Sequence, residues 1–234
     1  MRRASFAILL AAALPAPALA QAYQCAVPER VGPQSPPKQD GPTRRGPVDG
    51  FTLAASWSPE YCRSNRQAQR SMQCSGRSGR FGFILHGLWP EAAYGPPPQW
   101  CALTPRPSPE ELRQNLCMSP SPSLLEHEWA KHGSCAAKTP DAYFRLSRAA
   151  WQSVVWPDAD RLSRKEVLTA GDLRQAVMAA NPSWRADAIG VIVSGGGWLR
   201  EVRLCYDRGF KPAPCSSFQR GVRDGKALKI WRGI

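Results

Sequence analysis

Apolar side chains recur at every second position near the start of the folded sequence, where Phe51, Leu53, Ala55 and Trp57 fall on one face. A period of two predicts a half-buried strand. Later in the chain, the glycines at 195–197 separate two apolar segments, as the turn of a hairpin does. The further strands predicted in this way are 81–86, 189–194, 198–206 and 228–231.

Capping residues predict helices in the middle of the chain. Ser108, followed by a proline and two glutamates, is typical of a helix N-terminus. Ser123 with Glu126 predicts a capping box for a helix that runs to about residue 132, and Gly133 is expected to end it in the left-handed conformation. Two further helices are predicted to begin after Thr139 and Thr169.

Strands at both ends of the sequence and helices between them predict an α+β fold with a mainly antiparallel central sheet flanked by several helices. Residues 21–50 are rich in Pro and Gly and predict an extended lead-in. Residues 63–79 are polar and predict a loop. The remaining length suits one domain, which we expect over 51–234.

Residues 1–20 have the pattern of a secretory signal peptide. Arg2 and Arg3 precede an apolar run that ends in small residues at 18–20. That run is too short to cross a bilayer, so no membrane anchor is expected. A buried amphipathic helix is the less favoured alternative. We therefore expect export to the periplasm or the medium.

The number of cysteines agrees with export, because an even count in an exported chain favours disulfides, here up to four. Spacing alone leaves their pairing open. The eight are Cys25, Cys62, Cys74, Cys101, Cys117, Cys135, Cys205 and Cys215.

The chain is basic, with a formal net charge of +13, or +11 without Arg2 and Arg3. This charge fits a polyanionic partner, and both nucleic acid and anionic lipid meet that description. The basic residues are mostly arginines, whose guanidinium suits phosphate, but they are scattered along the sequence.

The three histidines lie in two short segments, HGLWP at 86–90 and HEWAKHGSC at 127–135. At about 100 degrees per residue, a helix over the second segment places its charged and imidazole groups within about 140 degrees. Such a face could simply be solvated, with Leu125 and Trp129 toward the core. We favour a catalytic site, because two imidazoles, a cation and a carboxylate are suited to acid and base chemistry on a phosphodiester. The four groups are His127, Glu128, Lys131 and His132.

Two protease hypotheses are disfavoured. In the HExxH zinc helix the histidines are four residues apart, whereas His127 and His132 are five apart with Lys131 between them, where it would repel a metal. A thiol protease built on Cys135 is disfavoured because an exported cysteine more often forms a disulfide.

The two segments resemble the two signature blocks of the ribonuclease T2 family, secreted ribonucleases that include plant self-incompatibility ribonucleases and bacterial periplasmic ones. HGLWP at 86–90 is similar to the first block, and HEWAKHGSC at 127–135 to the second, with Ser134 where threonine is common. Weaker similarity extends from 51–62 to 199–207.

The resemblance implies cleavage of single-stranded RNA by attack of the 2′-hydroxyl on its own phosphate, without metal or cofactor. His132 would be the base and His86 the acid, in a reaction that gives a 2′,3′-cyclic phosphate and then a 3′-phosphate. Lys131 would stabilise the phosphorane, Glu128 would hold His132 or the phosphate oxygens, and His127 would bind phosphate. DNA would be bound but not cut. The alternative is a non-catalytic secreted RNA-binding effector on the same fold.

Base recognition is expected at Trp89 and Glu91. Trp89 is either a core residue or a stacking platform for a base. Glu91 stands where the family often has aspartate, and Leu124 where some members have an aromatic residue. We also expect a monomer with no obligate protein partner. The disulfides that the resemblance implies are Cys117–Cys135, Cys205–Cys215 and Cys62–Cys74, which leaves Cys25–Cys101.

Overall fold

The structure is a computed structural model that describes residues 22–23 and 25–233. The signal peptide predicted over 1–20 lies outside the described residues. A short β1 (Ala22–Tyr23) pairs with β3 (Arg80–Phe81). The main sheet is antiparallel, with strand order β4-β2-β6-β5. Its strands are β2 (Gly50–Trp57), β4 (Phe83–Glu91), β5 (Ile189–Val193) and β6 (Leu199–Asp207).

One face of this sheet forms the hydrophobic core with the helices. The four alternating residues predicted for β2 are all buried in that core. Several helices cover the sheet, so the expected α+β architecture is confirmed. The helices are α1 (Ser58–Ser64), α2 (Pro109–Asn115), α3 (Pro122–Glu128), α4 (Ser134–Ala136), α5 (Pro140–Gln152), α6 (Ala159–Leu162), α7 (Ala170–Ala180) and α8 (Ser217–Arg220).

Three predicted helix starts are confirmed. Ser108 and Thr169 each cap a helix in a full capping box. The Thr139 side chain caps the third helix by accepting a hydrogen bond from the Ala142 N–H group. The box predicted at Ser123 is wrong, because Ser121 caps α3 and Glu126 pairs with Arg106 instead.

Gly133 does not end a helix in the left-handed conformation, as the sequence pattern predicted. After α3 the chain continues as a π turn over Trp129–Gly133 and then as α4. Gly133 has φ of −62°, an ordinary right-handed value. Glycine is required there for another reason: a β-carbon would stand 2.7 Å from ring atoms of Trp129 and Tyr143.

Other boundaries also differ. β4 continues to Glu91, so the HGLWP segment lies inside a strand and not after one. The first part of the predicted 63–79 loop belongs to α1 and to a 3₁₀ turn over Arg66–Arg70. Residues 228–231 form no strand; Lys229 makes an isolated bridge to Trp198. Within the described residues, no helix is both long and apolar enough to span a membrane.

Two of the four expected disulfides are wrong. Cys62–Cys74 and Cys205–Cys215 form as implied. The other four cysteines form Cys25–Cys117 and Cys101–Cys135, because Trp100 N–H donates to the Lys131 carbonyl at 2.7 Å and brings the neighbouring Cys101 to the catalytic turn. The lead-in is thereby tied through Cys25 to the end of α2.

Candidate active site

His86 lies at a β-bulge in the middle of β4, an edge strand of the main sheet. Leu85 and Gly87 pair with two consecutive residues of β2, so His86 is the extra residue of the bulge. A bulge of this kind re-aims the side chains of its strand. Leu85 and Leu88 therefore both lie in the core, while the imidazole of His86 remains 34% exposed.

A carboxylate on another strand reaches His86 across β2. Glu201 lies on β6, and its Oε2 atom is 2.7 Å from His86 Nδ1. Strands lie roughly 4.8 Å apart, so two side chains that meet across a middle strand span about 10 Å. The β2 residues that pair with this part of β6 are small: Ser56 pairs with Glu201, and Ala54 with Arg203. Small side chains on β2 leave the space for this contact.

Glu128 is the buried carboxylate at the end of α3. Trp89 Nε1 donates to Glu128 Oε2 at 2.7 Å, and Glu128 Oε1 lies 3.5 Å from His86 Nε2. Gly87 allows this approach, because a β-carbon there would overlap Glu128. Burial raises the pKa of Glu128 to about 7, although His86 and Trp89 oppose the shift.

His132 lies on the π turn, with its ring centroid 5.5 Å from that of Trp89. Its Nδ1 atom is buried and has no hydrogen-bond partner among the described residues. Burial, followed by the positive charges of Lys131 and His86, lowers the pKa of His132 to about 3. His132 is therefore neutral near pH 7.

The electrostatic environment of His86 has the opposite effect. Burial lowers the pKa of His86, but the carboxylates of Glu128 and Glu201 outweigh burial, and the net shift is upward from 6.5. His86 therefore keeps its proton to a higher pH than His132 does.

Lys131 and His127 face a carboxylate from the lead-in. Lys131 Nζ donates to Asp40 Oδ2 at 2.7 Å, and His127 Nε2 lies 3.9 Å from the same oxygen. Trp100 Nε1 donates to Asp40 Oδ1 at 3.1 Å. The bond from Lys131 lowers the pKa of Asp40 despite partial burial, and burial lowers the pKa of His127.

The structure thus brings the two histidine segments together. The helical projection that grouped the second segment does not describe it, because the α-helix ends at Glu128. In the π turn, Ser134 N–H donates to the carbonyl of Trp129, five residues back. His127 lies in α3 and His132 in this π turn, so no single helical period relates the two side chains.

Trp89 and Glu91 line the next part of the same strand. The ring of Trp89 packs edge-on against His86, at a centroid distance of 5.2 Å, and Arg203 lies 5.1 Å from its centre. Glu91 accepts hydrogen bonds from Thr52 Oγ1 and Gln219 Nε2. Burial raises the pKa of Glu91.

Two residues of this site, Glu201 and Asp40, were not predicted from the sequence. Glu201 lies near Arg200 and Arg203 in the strand sequence LREVRLCYD, so its charge is only a weak signal of a buried partner. Asp40 gives no such signal, since it lies in a polar lead-in far from the histidines in sequence.

A cavity of about 750 Å³ opens beside His86 and Glu201. Its wall also includes Arg203 from β6, Ser121 from the α3 N-cap and Leu124 from α3. Across the described residues, no three His, Cys, Asp or Glu side chains are grouped to hold a metal ion.

Comparison with known sequences points to one family. The sequence model of the Ribonuclease T2 family matches residues 48–167. A ribonuclease of Aeromonas hydrophila is 31% identical over 179 residues, which cover 73% of this chain and 78% of that protein. A probable ribonuclease of Haemophilus influenzae is 31% identical over 193 residues, which cover 76% of this chain and 64% of that longer relative.

Comparison with solved structures shows the same fold. Trichomaglin, a novel S-like ribonuclease, superimposes with a TM-score of 0.63 at 22% identity, over 78% of this chain and 97% of trichomaglin. RNase NT in complex with 5′-AMP gives a TM-score of 0.61 at 21% identity, over 79% of this chain and 98% of that one.

Proposed function

Since the chain belongs to the Ribonuclease T2 family, we propose that it is an endoribonuclease that cleaves single-stranded RNA through its own 2′-hydroxyl. The observation that carries the proposal is that two imidazoles contact one indole: the ring centroid of Trp89 lies 5.2 Å from that of His86 and 5.5 Å from that of His132. His86 has a raised pKa, and His132 has a pKa lowered to about 3. At mildly acid to neutral pH one is an acid and the other a base, as general acid–base catalysis requires.

In the first step, the 2′-oxygen bonds to phosphorus and the bond from phosphorus to the 5′-oxygen breaks. His132 takes the 2′-hydroxyl proton, and His86 Nε2 gives its proton to the departing 5′-oxygen. The product is a 2′,3′-cyclic phosphate. In the second step the roles reverse. His86 takes a proton from water as the water oxygen bonds to phosphorus, and His132 protonates the 2′-oxygen as its bond to phosphorus breaks, which leaves a 3′-phosphate.

Three further groups act on the phosphate. Lys131 stabilises the negative charge that grows on the phosphorane oxygens, and His127 binds phosphate beside it. Glu128, which contacts both His86 and Trp89, holds His132 or the phosphate oxygens in place. We assign base recognition to Trp89 and Glu91, next to Phe218, which is 77% exposed.

The protein acts outside the cytoplasm, in the periplasm or the medium. Its four disulfides favour an oxidising compartment, and the predicted signal peptide provides the route.

The experiment that tests this function compares RNA with DNA of the same sequence in excess EDTA, using oxidised protein. We expect RNA to be cut to fragments that end in 2′,3′-cyclic phosphate, and DNA to remain intact. Loss of RNA cleavage in EDTA, or equal cutting of DNA, would overturn the proposal.

A further inference from the structure

We propose that Glu201 is a positioning residue for the leaving-group step: its carboxylate accepts the Nδ1 proton of His86 and so presents the Nε2 proton to the 5′-oxygen. This inference rests on the proposed function and extends it to a residue outside both histidine segments.

Glu201 is held rigidly enough to orient an imidazole. Its side chain is 8% exposed, and Arg203 Nε donates to its Oε1 atom at 2.7 Å. Its Oε2 atom accepts from His86 Nδ1 at 2.7 Å and from Ser56 Oγ at 3.3 Å. Both carboxylate oxygens are therefore bonded, and a buried carboxylate with these partners keeps its negative charge, with a pKa lowered to about 2.

The register of the sheet places the pair. His86 is the extra residue of the bulge in β4. Glu201 lies on β6, which pairs with β2 in regular register and has Ser56 opposite Glu201. Val202 and Leu204 lie in the core, so Glu201 occupies the opposite face of the sheet.

The contact fixes which nitrogen of His86 reacts. An ionised carboxylate can only accept hydrogen bonds. Nδ1 of His86 therefore carries a proton in both the charged and the neutral imidazole. Nε2 then donates in the first step and accepts in the second, without rotation of the ring. The charges that face His86 are Glu128 from α3 and Glu201 and Arg203 from β6, with His127 and His132 beyond them.

A change of leaving group separates this role from a structural one. A dinucleotide has a poor alkoxide leaving group that needs the His86 proton, whereas a nucleoside 3′-(4-nitrophenyl phosphate) releases a stable phenolate that does not. For Glu201→Gln we expect kcat on the dinucleotide to fall about 10²-fold, as for other groups that orient a reactive histidine, and kcat on the aryl ester to fall far less.

The pH profile provides the second readout. Loss of the carboxylate lowers the pKa of His86, so the alkaline limb of the dinucleotide profile should move to lower pH in Glu201→Gln. Glu201→Asp keeps the charge and should retain more dinucleotide cleavage than Glu201→Gln. Aspartate also serves as the test variant if Glu201→Gln proves unstable, because its shorter side chain weakens the contact with His86.

The matched control is Glu126→Gln. Glu126 is also buried and paired with an arginine, Arg106, but it does not contact His86. We expect this control to keep the wild-type ratio of dinucleotide to aryl-ester rates. Equal losses on both substrates in Glu201→Gln, or no loss, would overturn the inference while wild-type cleavage of RNA upholds the proposed function. Failure of the wild type to cut either substrate would overturn both.

Discussion

Glu128 approaches β4 so closely at Gly87 that no β-carbon fits between them. The backbone of a catalytic strand and the carboxylate of the facing helix are thus in direct contact, and the glycine of the HGLWP segment is a packing requirement of the site.

Gly87→Ala should therefore displace Glu128 and the Trp89 indole that donates to it. We expect activity to fall about 10² to 10³-fold, as when a transition-state donor is misplaced, and stability to fall by about 1 to 3 kcal/mol from overpacking. Kinetics and thermal unfolding measure the two effects. Gly225→Ala is the control, because a β-carbon there meets nothing within 4 Å. Full activity in Gly87→Ala would refute the packing argument.

Asp40 neutralises part of the charge that would otherwise attract phosphate. Its carboxylate bonds to Lys131 and lies near His127. We expect Asp40→Asn to lower KM for RNA several-fold at low salt, with less effect at high salt, since ionic strength screens partly exposed charges. Asp141→Asn, which removes an exposed partner of Arg145, should leave KM unchanged. A higher KM in Asp40→Asn would show instead that Asp40 holds Lys131 in its productive position.

The lowered pKa of His132 should make the fold sensitive to acid. The unfolded imidazole titrates near 6.5 and the folded one near 3. Between those values the unfolded state binds more protons, so stability contributed by neutral His132 is lost as pH falls from about 6.5 toward 3. His86 has the opposite sign: its contribution is present below 6.5 and is lost as pH rises through its raised pKa.

Thermal unfolding of His132→Gln checks this sign. Glutamine does not titrate. The melting temperature of His132→Gln minus that of the wild type should therefore be higher at pH 4.5 than at pH 8. The same difference at both values would contradict the lowered pKa.

The two proton-transferring imidazoles should differ from His127 in what their removal spares. His86→Ala and His132→Ala should each reduce kcat for RNA by at least about 10³-fold while RNA affinity stays within a few-fold of wild type. His127→Ala should mainly raise KM, because it binds phosphate and transfers no proton. Single-turnover cleavage and filter binding separate these effects. Turnover close to wild type in either alanine variant of the pair would remove that residue from the mechanism.

Much of the fold follows from local signals in the sequence. The alternation in β2 and the caps at Ser108, Thr139 and Thr169 describe short-range interactions, and the structure confirms them. The three histidines stood out because two short segments contain them all.

What the sequence did not reveal depends on tertiary structure. The π turn replaces a helix end at Gly133 because Trp129 and Tyr143 pack against that glycine. Two predicted disulfide pairs were wrong because Trp100, which bonds to Lys131 and to Asp40 of the lead-in, brings Cys101 to the catalytic turn. The contact of Glu201 with His86 joins two strands that are separated by β2, and neither strand alone indicates the other.

The central claim is that the substrate supplies its own nucleophile to the pair His86 and His132. The most direct test is a DNA oligonucleotide that contains a single ribonucleotide, incubated with the protein in EDTA. We expect one cut, on the 3′ side of the ribonucleotide, that leaves a 2′,3′-cyclic phosphate, and no cut when that sugar carries a 2′-O-methyl group. Cleavage of the methylated oligonucleotide, or cuts elsewhere in the DNA, would contradict the mechanism.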